Sequence, residues 1–190
     1  MRQRFALGIL TLALSACGGS APSQPAPKQV VKTIPDWFTQ VPRDPNMVFA
    51  ASSAESRDLQ LAVNKATQDG RFNLAQQLEV KYSGLSKRFQ EETGTGADAT
   101  LLDQFQQTYK GVVSQTLNGS RVSKQEVVPT GQTYRAYVLV EMPIGAANQV
   151  LVQKMKANEQ MYTRYRATEA FKELEAEVAK YEEWKKSNPQ

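Results

Sequence analysis

The sequence predicts an α+β fold: a small mixed sheet of three to four strands packed by two helices, followed by a long C-terminal helix. Three observations carry this. Residues 134–141 (YRAYVLVE) alternate with period two, behind a shorter β-prone run at 121–128, which is the pattern of a hairpin. Leu59, Val63, Ala66, Leu74 and Leu78 recur at near-helical spacing. Ala167, Phe171, Leu174, Val178 and Tyr181 step by four and three residues among alternating Glu and Lys, as a solvated helix does.

The folded part opens at residues 34–38, Ile-Pro-Asp-Trp-Phe. Pro35 forces an extended residue before it, and Trp37 and Phe38 are expected to fold onto the domain as a clasp. Residues 47–53 (MVFAASS) read as the first strand. Ser56 or a neighbour caps the next helix, in which Ala62, Ala66 and Ala75 mark a face that packs closely on a sheet and Gly70 is a weak point. Val80, Tyr82, Leu85 and Phe89 fit a strand or continued helix; a strand over about 79–91 is the favoured reading. Gly94 and Gly96 mark a loop. Leu101, Phe105, Tyr109 and Val112 form one stripe of a second helix over 101–117. Asn118-Gly119 turns the chain into the hairpin, and Pro129 to Gln132 closes it. Tyr134, Ala136, Val138 and Val140 point one way, Arg135, Tyr137, Leu139 and Glu141 the other. The rest, to about residue 186, is one long helix or two broken ones. Its seam spans about two heptads and either folds back on its own domain or pairs with another chain.

The N-terminus carries a different kind of signal. Arg2 and Arg4 precede an apolar run at 5–14. A bilayer-spanning helix needs about 20 apolar residues, so this run has the length of a secretory h-region. Leu14-Ser15-Ala16-Cys17 then matches a bacterial lipobox, which predicts cleavage before Cys17 and attachment of diacylglycerol and fatty acyl chains such as palmitate to it. Each buried methylene contributes about 0.8 kcal/mol, and two or more chains hold firmly. Cys17 is the sole cysteine, so no intrachain disulfide competes for it. The Pro-rich stretch that follows, with Pro22, Pro25 and Pro27, reads as a tether. The expected organisation is signal peptide 1–16, lipidated flexible tether 17–33, α+β domain 34–145 and C-terminal helix 146–190. Gly18 after the cysteine favours the outer membrane, with the domain facing the periplasm.

Composition narrows the chemistry. Histidine is absent, which removes the commonest general base, the Ser-His-Asp arrangement and most transition-metal sites. No phosphate-cradling glycine loop with a following Lys-Ser/Thr is present; Gly94-Thr95-Gly96 reads as a plain loop. The adjacent pairs Glu91-Glu92 and Glu182-Glu183 lie in polar runs and read as surface charge. Of the formal charge of +4, Arg2 and Arg4 supply half, and no basic patch suggests nucleic acid. Tyr162, Arg164, Tyr165 and Arg166 could form a stacking or anion-binding patch, or Tyr162 and Tyr165 could pack inward with Leu151 and Met155. No catalytic residue, cofactor or metal site is expected, and no ligand-binding residue is assigned.

The lipobox, the Pro-Asp-Trp-Phe clasp, the strand ending in small residues, the Ala-rich helix from Ala62 to Leu78 and the strand in YRAYVLVEMP resemble the Lpp-twenty lipoprotein family of Gram-negative bacteria over about residues 35–145. Related domains occur in flagellar outer-membrane components and flagellar assembly protein T. The resemblance implies a compact domain and an envelope address. It supplies no catalytic residues, and only the acylated cysteine transfers, onto Cys17. The expectation is a non-enzymatic lipoprotein, bound to the membrane through its lipid and acting on other envelope proteins or on copies of itself. The alternatives are a flagellar-associated outer-membrane ring component and a lipid- or glycan-binding lipoprotein.

Overall fold

The computed structural model describes residues 34–94 and 99–187. The expected signal peptide, Cys17 and the tether lie outside these residues. The order is α1 (Asp36–Thr39), β1 (Met47–Ser56), α2 (Leu59–Thr93), α3 (Ala99–Leu117), β2 (Arg121–Thr130), β3 (Thr133–Pro143), α4 (Ile144–Ala157), α5 (Glu159–Tyr165) and α6 (Glu169–Ser187). This is the α+β class the sequence predicts. The three strands pair antiparallel throughout in the order β1-β3-β2, so the sheet is purely antiparallel rather than mixed as expected. The alternating β3 therefore lies in the centre, where both faces of a strand find cover.

One face of β3 enters the main core: Ala136, Val138 and Val140 are buried together with Ala50 of β1 and the inner stripe of α2. The other face buries Tyr137 and Leu139. There Phe38 of α1 meets Tyr137 edge-on at 4.9 Å, the clasp expected from the Trp-Phe pair. Such aromatic pairs contribute about 0.5–1.5 kcal/mol beyond area burial.

Helix α2 starts where Asp58 accepts a hydrogen bond from the Leu61 N–H at 2.7 Å, an N-cap. Its first half lies on the sheet through Ala62, Ala66 and Gly70. A Cβ at Gly70 would stand 2.6 Å from Val140 Cγ2 and 2.8 Å from Ser52 Oγ. Ser52 donates its hydroxyl to the Ala66 carbonyl at 2.6 Å. Gly70 is thus the point of closest helix–sheet approach rather than a weakness.

Residues 79–91 correct the sequence reading: they continue α2 and form no strand. Val80 and Tyr82 would share a face of a strand, yet Val80 is 74% exposed and Tyr82 fully buried. The buried positions Leu78, Tyr82, Leu85 and Phe89 step by four, three and four, the spacing of one helical stripe. This half of α2 packs on α3 and the C-terminal helices, with Phe89 stacked on Tyr165 at 4.3 Å and edge-on to Phe105 at 5.2 Å.

The C-terminal part is helical, in three segments restarted by caps. Asn158 Oδ1 accepts from the Met161 N–H and Thr168 Oγ1 from the Phe171 N–H. The seam folds back on its own domain: Phe171, Leu174 and Tyr181 are buried and Val178 partly so, while Ala167 is exposed ahead of the helix. At Gly145 an added Cβ would fall 2.1 Å from the Tyr181 ring, so α6 rests directly on the backbone of α4.

Candidate functional site

Two features could engage another molecule: a half-open cleft and an open furrow beside the sheet. The cleft, about 360 Å³, lies among the polar Asp44, Asn46, Lys81, Asn148, Glu177 and Lys180 and the apolar Pro45, Met47, Ile144 and Tyr181. Its deep wall is a chain of polar contacts. The Tyr82 hydroxyl donates to Asn148 Oδ1 at 3.1 Å, Asn148 Nδ2 donates to Glu177 Oε2 at 2.7 Å, and Lys81 Nζ meets the same oxygen at 2.6 Å. Burial, aided by the negative charge of Glu177, pushes the Tyr82 phenol well above its ordinary value, so it stays a neutral donor. These groups satisfy one another and bolt α2, α4 and α6 together.

Further ties hold α6 along α2. Arg88 pairs with Glu173 at 2.6 Å, which holds the Glu173 carboxyl below its usual range. Glu92 accepts from the backbone N–H of Glu169 and Ala170, placing a carboxylate at the α6 N-terminus, where the helix dipole favours it. Of the two acidic pairs read as surface charge, Glu91-Glu92 therefore contains a capping residue. In the Tyr162–Arg166 patch, Tyr165 is buried in the aromatic core, Tyr162 packs against Phe171 at 5.9 Å, and the Arg166 guanidinium lies 6.0 Å over the Tyr162 ring. Both rings are engaged internally. Among the described residues no three metal-ligating side chains converge.

The furrow runs along the free edge of β1. One stretch, about 780 Å³, lies between Phe49, Ala50 and Ala51 of β1 and Asn73, Gln76, Gln77 and Val80 of α2. A second stretch of about 740 Å³ continues past Val41, Pro42 and Asp44. Val41, Phe49 and Gln77 line both. Gln77 donates its side-chain amide to the Phe49 carbonyl at 3.0 Å, so that carbonyl points away from β3. Strand geometry then turns the backbone groups of Ala51 and Ser53 outward too. Sequence reasoning placed residues 47–53 in a strand and weighed Val80 as strand or helix, but marked none of these residues as a contact site. The signal that could have found them is the absence of charge and proline from 47 to 54, together with Val80 falling off the helical stripe.

The family model described as LPP20 lipoprotein matches residues 35–142. This chain belongs to the LPP20 lipoprotein family. It is accordingly a lipoprotein of the cell envelope, held to a membrane, and among the described residues no helix is long and apolar enough to cross one. The LPP20 region takes in α1, the whole of α2 and α3, and the sheet almost to the end of β3, so it contains both walls of the furrow. Helices α4 to α6, which complete the polar bolt, follow it. No curated protein matches the chain.

Proposed function

We propose that this lipoprotein is anchored in the outer membrane through acylated Cys17, faces the periplasm, and acts without catalysis by holding another protein against its domain. The observation that carries the reading is the furrow at the β1 edge. It is the one place described above where backbone donors and acceptors lie beside apolar side chains that no other described residue covers. The cleft among Asn148 and Glu177, by contrast, has its deep polar groups tied to one another. The lipobox and the Pro-rich stretch support the address: they make a membrane anchor with a spacer.

A clickable palmitate analogue tests the anchor. The full chain takes the label and fractionates with the outer membrane, whereas Cys17→Ala is unlabelled and leaves the membrane fraction. Equal labelling of both proteins, or a Cys17→Ala protein fully active as a soluble species, contradicts the reading.

A further inference from the structure

The two edges of the sheet are built differently, and the difference specifies an occupant. Edge strands present unpaired N–H and C=O groups, and proteins blunt them with charge, proline and bulges. On β2 all three devices occur: Lys124 and Glu126, Pro129, and a register shift between Val122 and Lys124. β1 pairs with β3 without a register shift and carries neither proline nor charge from Met47 to Ala54. Its edge is flanked by α2 on one side and by the 39–44 segment on the other.

We infer that the β1 edge accepts an extended segment of a different protein as a fourth strand, with its side chains lying between Val80 and Val41. The inference rests on the contact reading above and gives that contact its form. Three observations select a bare extended chain. An edge of backbone groups is satisfied in full only by another backbone. Phe49, Ala50, Ala51, Val41 and Val80 give the furrow an apolar strip, bordered by the polar and charged Asn73, Gln76, Lys81 and Arg43, which suits a strand that alternates apolar residues toward the strip with polar ones toward the border. A second copy of this chain would bring its own α2 and 39–44 segment to the same place, and two flanked edges obstruct one another. Gln77, on the Phe49 carbonyl, occupies the position of the first incoming donor and is displaced when the strand docks.

The test uses the full-length lipoprotein in its own cells, with a benzophenone amino acid replacing Val80 in one strain and Lys124 in another. Irradiation is followed by mapping of the crosslinked peptide, and the Val80 strain is repeated with Ala51→Pro. Proline at 51 removes an outward N–H and leaves the β1–β3 ladder intact, so an unchanged melting temperature shows that the domain still folds. The expected result is a crosslink from Val80 to one segment of another protein, absent from Lys124 and reduced about tenfold or more by Ala51→Pro. A synthetic peptide of the mapped segment then binds the purified chain. A Val80 crosslink to a different protein that Ala51→Pro leaves unchanged overturns the strand inference and keeps the contact reading, whereas a Val80 crosslink to a second copy overturns both. No crosslink from Val80 overturns both.

Discussion

Strands β1 and β2 flank the same central strand, yet one edge is guarded and the other open. On β2, lysine, proline and a bulge spoil the backbone ladder, and Arg121 reaches back to Glu141 at 2.7 Å to tie the strand to β3. On β1 the cover stops short: the Met47 N–H donates to the Asp44 carbonyl at 3.3 Å and Gln77 donates to the Phe49 carbonyl at 3.0 Å, while the outward groups of Ala51 and Ser53 beyond them are left open. The cost of leaving an edge open is a risk of unwanted association. A chain that removes the risk at one edge and keeps it at the other has a use for the second. The open edge is also the better supported, because α2 lies against β1 through Gly70 and Ser52.

That support gives the largest expected effect. Gly70→Ala places a methyl where Val140 and Ser52 stand, and overpacking of this kind costs about 1–3 kcal/mol. The helix propensity that alanine gains, at most about 1 kcal/mol, does not offset a clash with both strands. At Gly84 of the same helix a Cβ meets nothing within 4 Å, so Gly84→Ala should stabilise by about 0.5–1 kcal/mol. Denaturant melts of the pair check this, and equal shifts would show that α2 is not seated on the sheet as described.

Next comes the edge itself. Ala51→Pro should cost little stability while lowering the furrow crosslink about tenfold. The comparison can also be broken from the other side. Replacing Lys124 and Pro129 of β2 with valine removes two of the guards, leaving Glu126 and the register shift, and should yield concentration-dependent association by light scattering. A double variant as monodisperse as the parent would mean that those residues are not what keeps β2 closed.

Smaller still is the bolt behind the furrow. Tyr82→Phe leaves Asn148 without its phenol donor, which costs about 1 kcal/mol at neutral pH. The pH dependence has a definite sign. Burial raises the Tyr82 pKa in the folded state, so its contribution is complete below the ordinary tyrosine value near 10 and declines as pH rises above it. The gap in stability between parent and Tyr82→Phe should therefore shrink above about pH 10. A gap that widens there would contradict the buried neutral phenol.

Much of the fold was legible in the sequence because β3 alternates and α2 keeps a small-residue face. The hairpin, the Trp37–Phe38 clasp and the α3 stripe of Leu101, Phe105 and Tyr109 all rest on local periodicity. The misreading at 79–91 came from two residues, Val80 and Tyr82, whose spacing imitates a strand. Only the burial of Tyr82, set against the exposure of Val80, decides for the helix. Glu92 could not have been read as a cap, because the N–H groups it accepts from are 77 and 78 residues away. The furrow left only a faint sequence signal, the uncharged run at 47–54, for a related reason. An edge is defined by which strand ends beside nothing, and that depends on the order β1-β3-β2, with β3 moved between two strands that precede it in sequence.

The account turns on the outward backbone of β1, and residue-resolved amide hydrogen exchange of the purified full-length chain measures it directly. The amides of Ala51 and Ser53 should exchange rapidly, while those of Ala50 and Ser52, turned toward β3, stay protected. Protection of Ala51 and Ser53 equal to that of Ser52 would mean that the edge is already covered, and would contradict a furrow waiting for a strand.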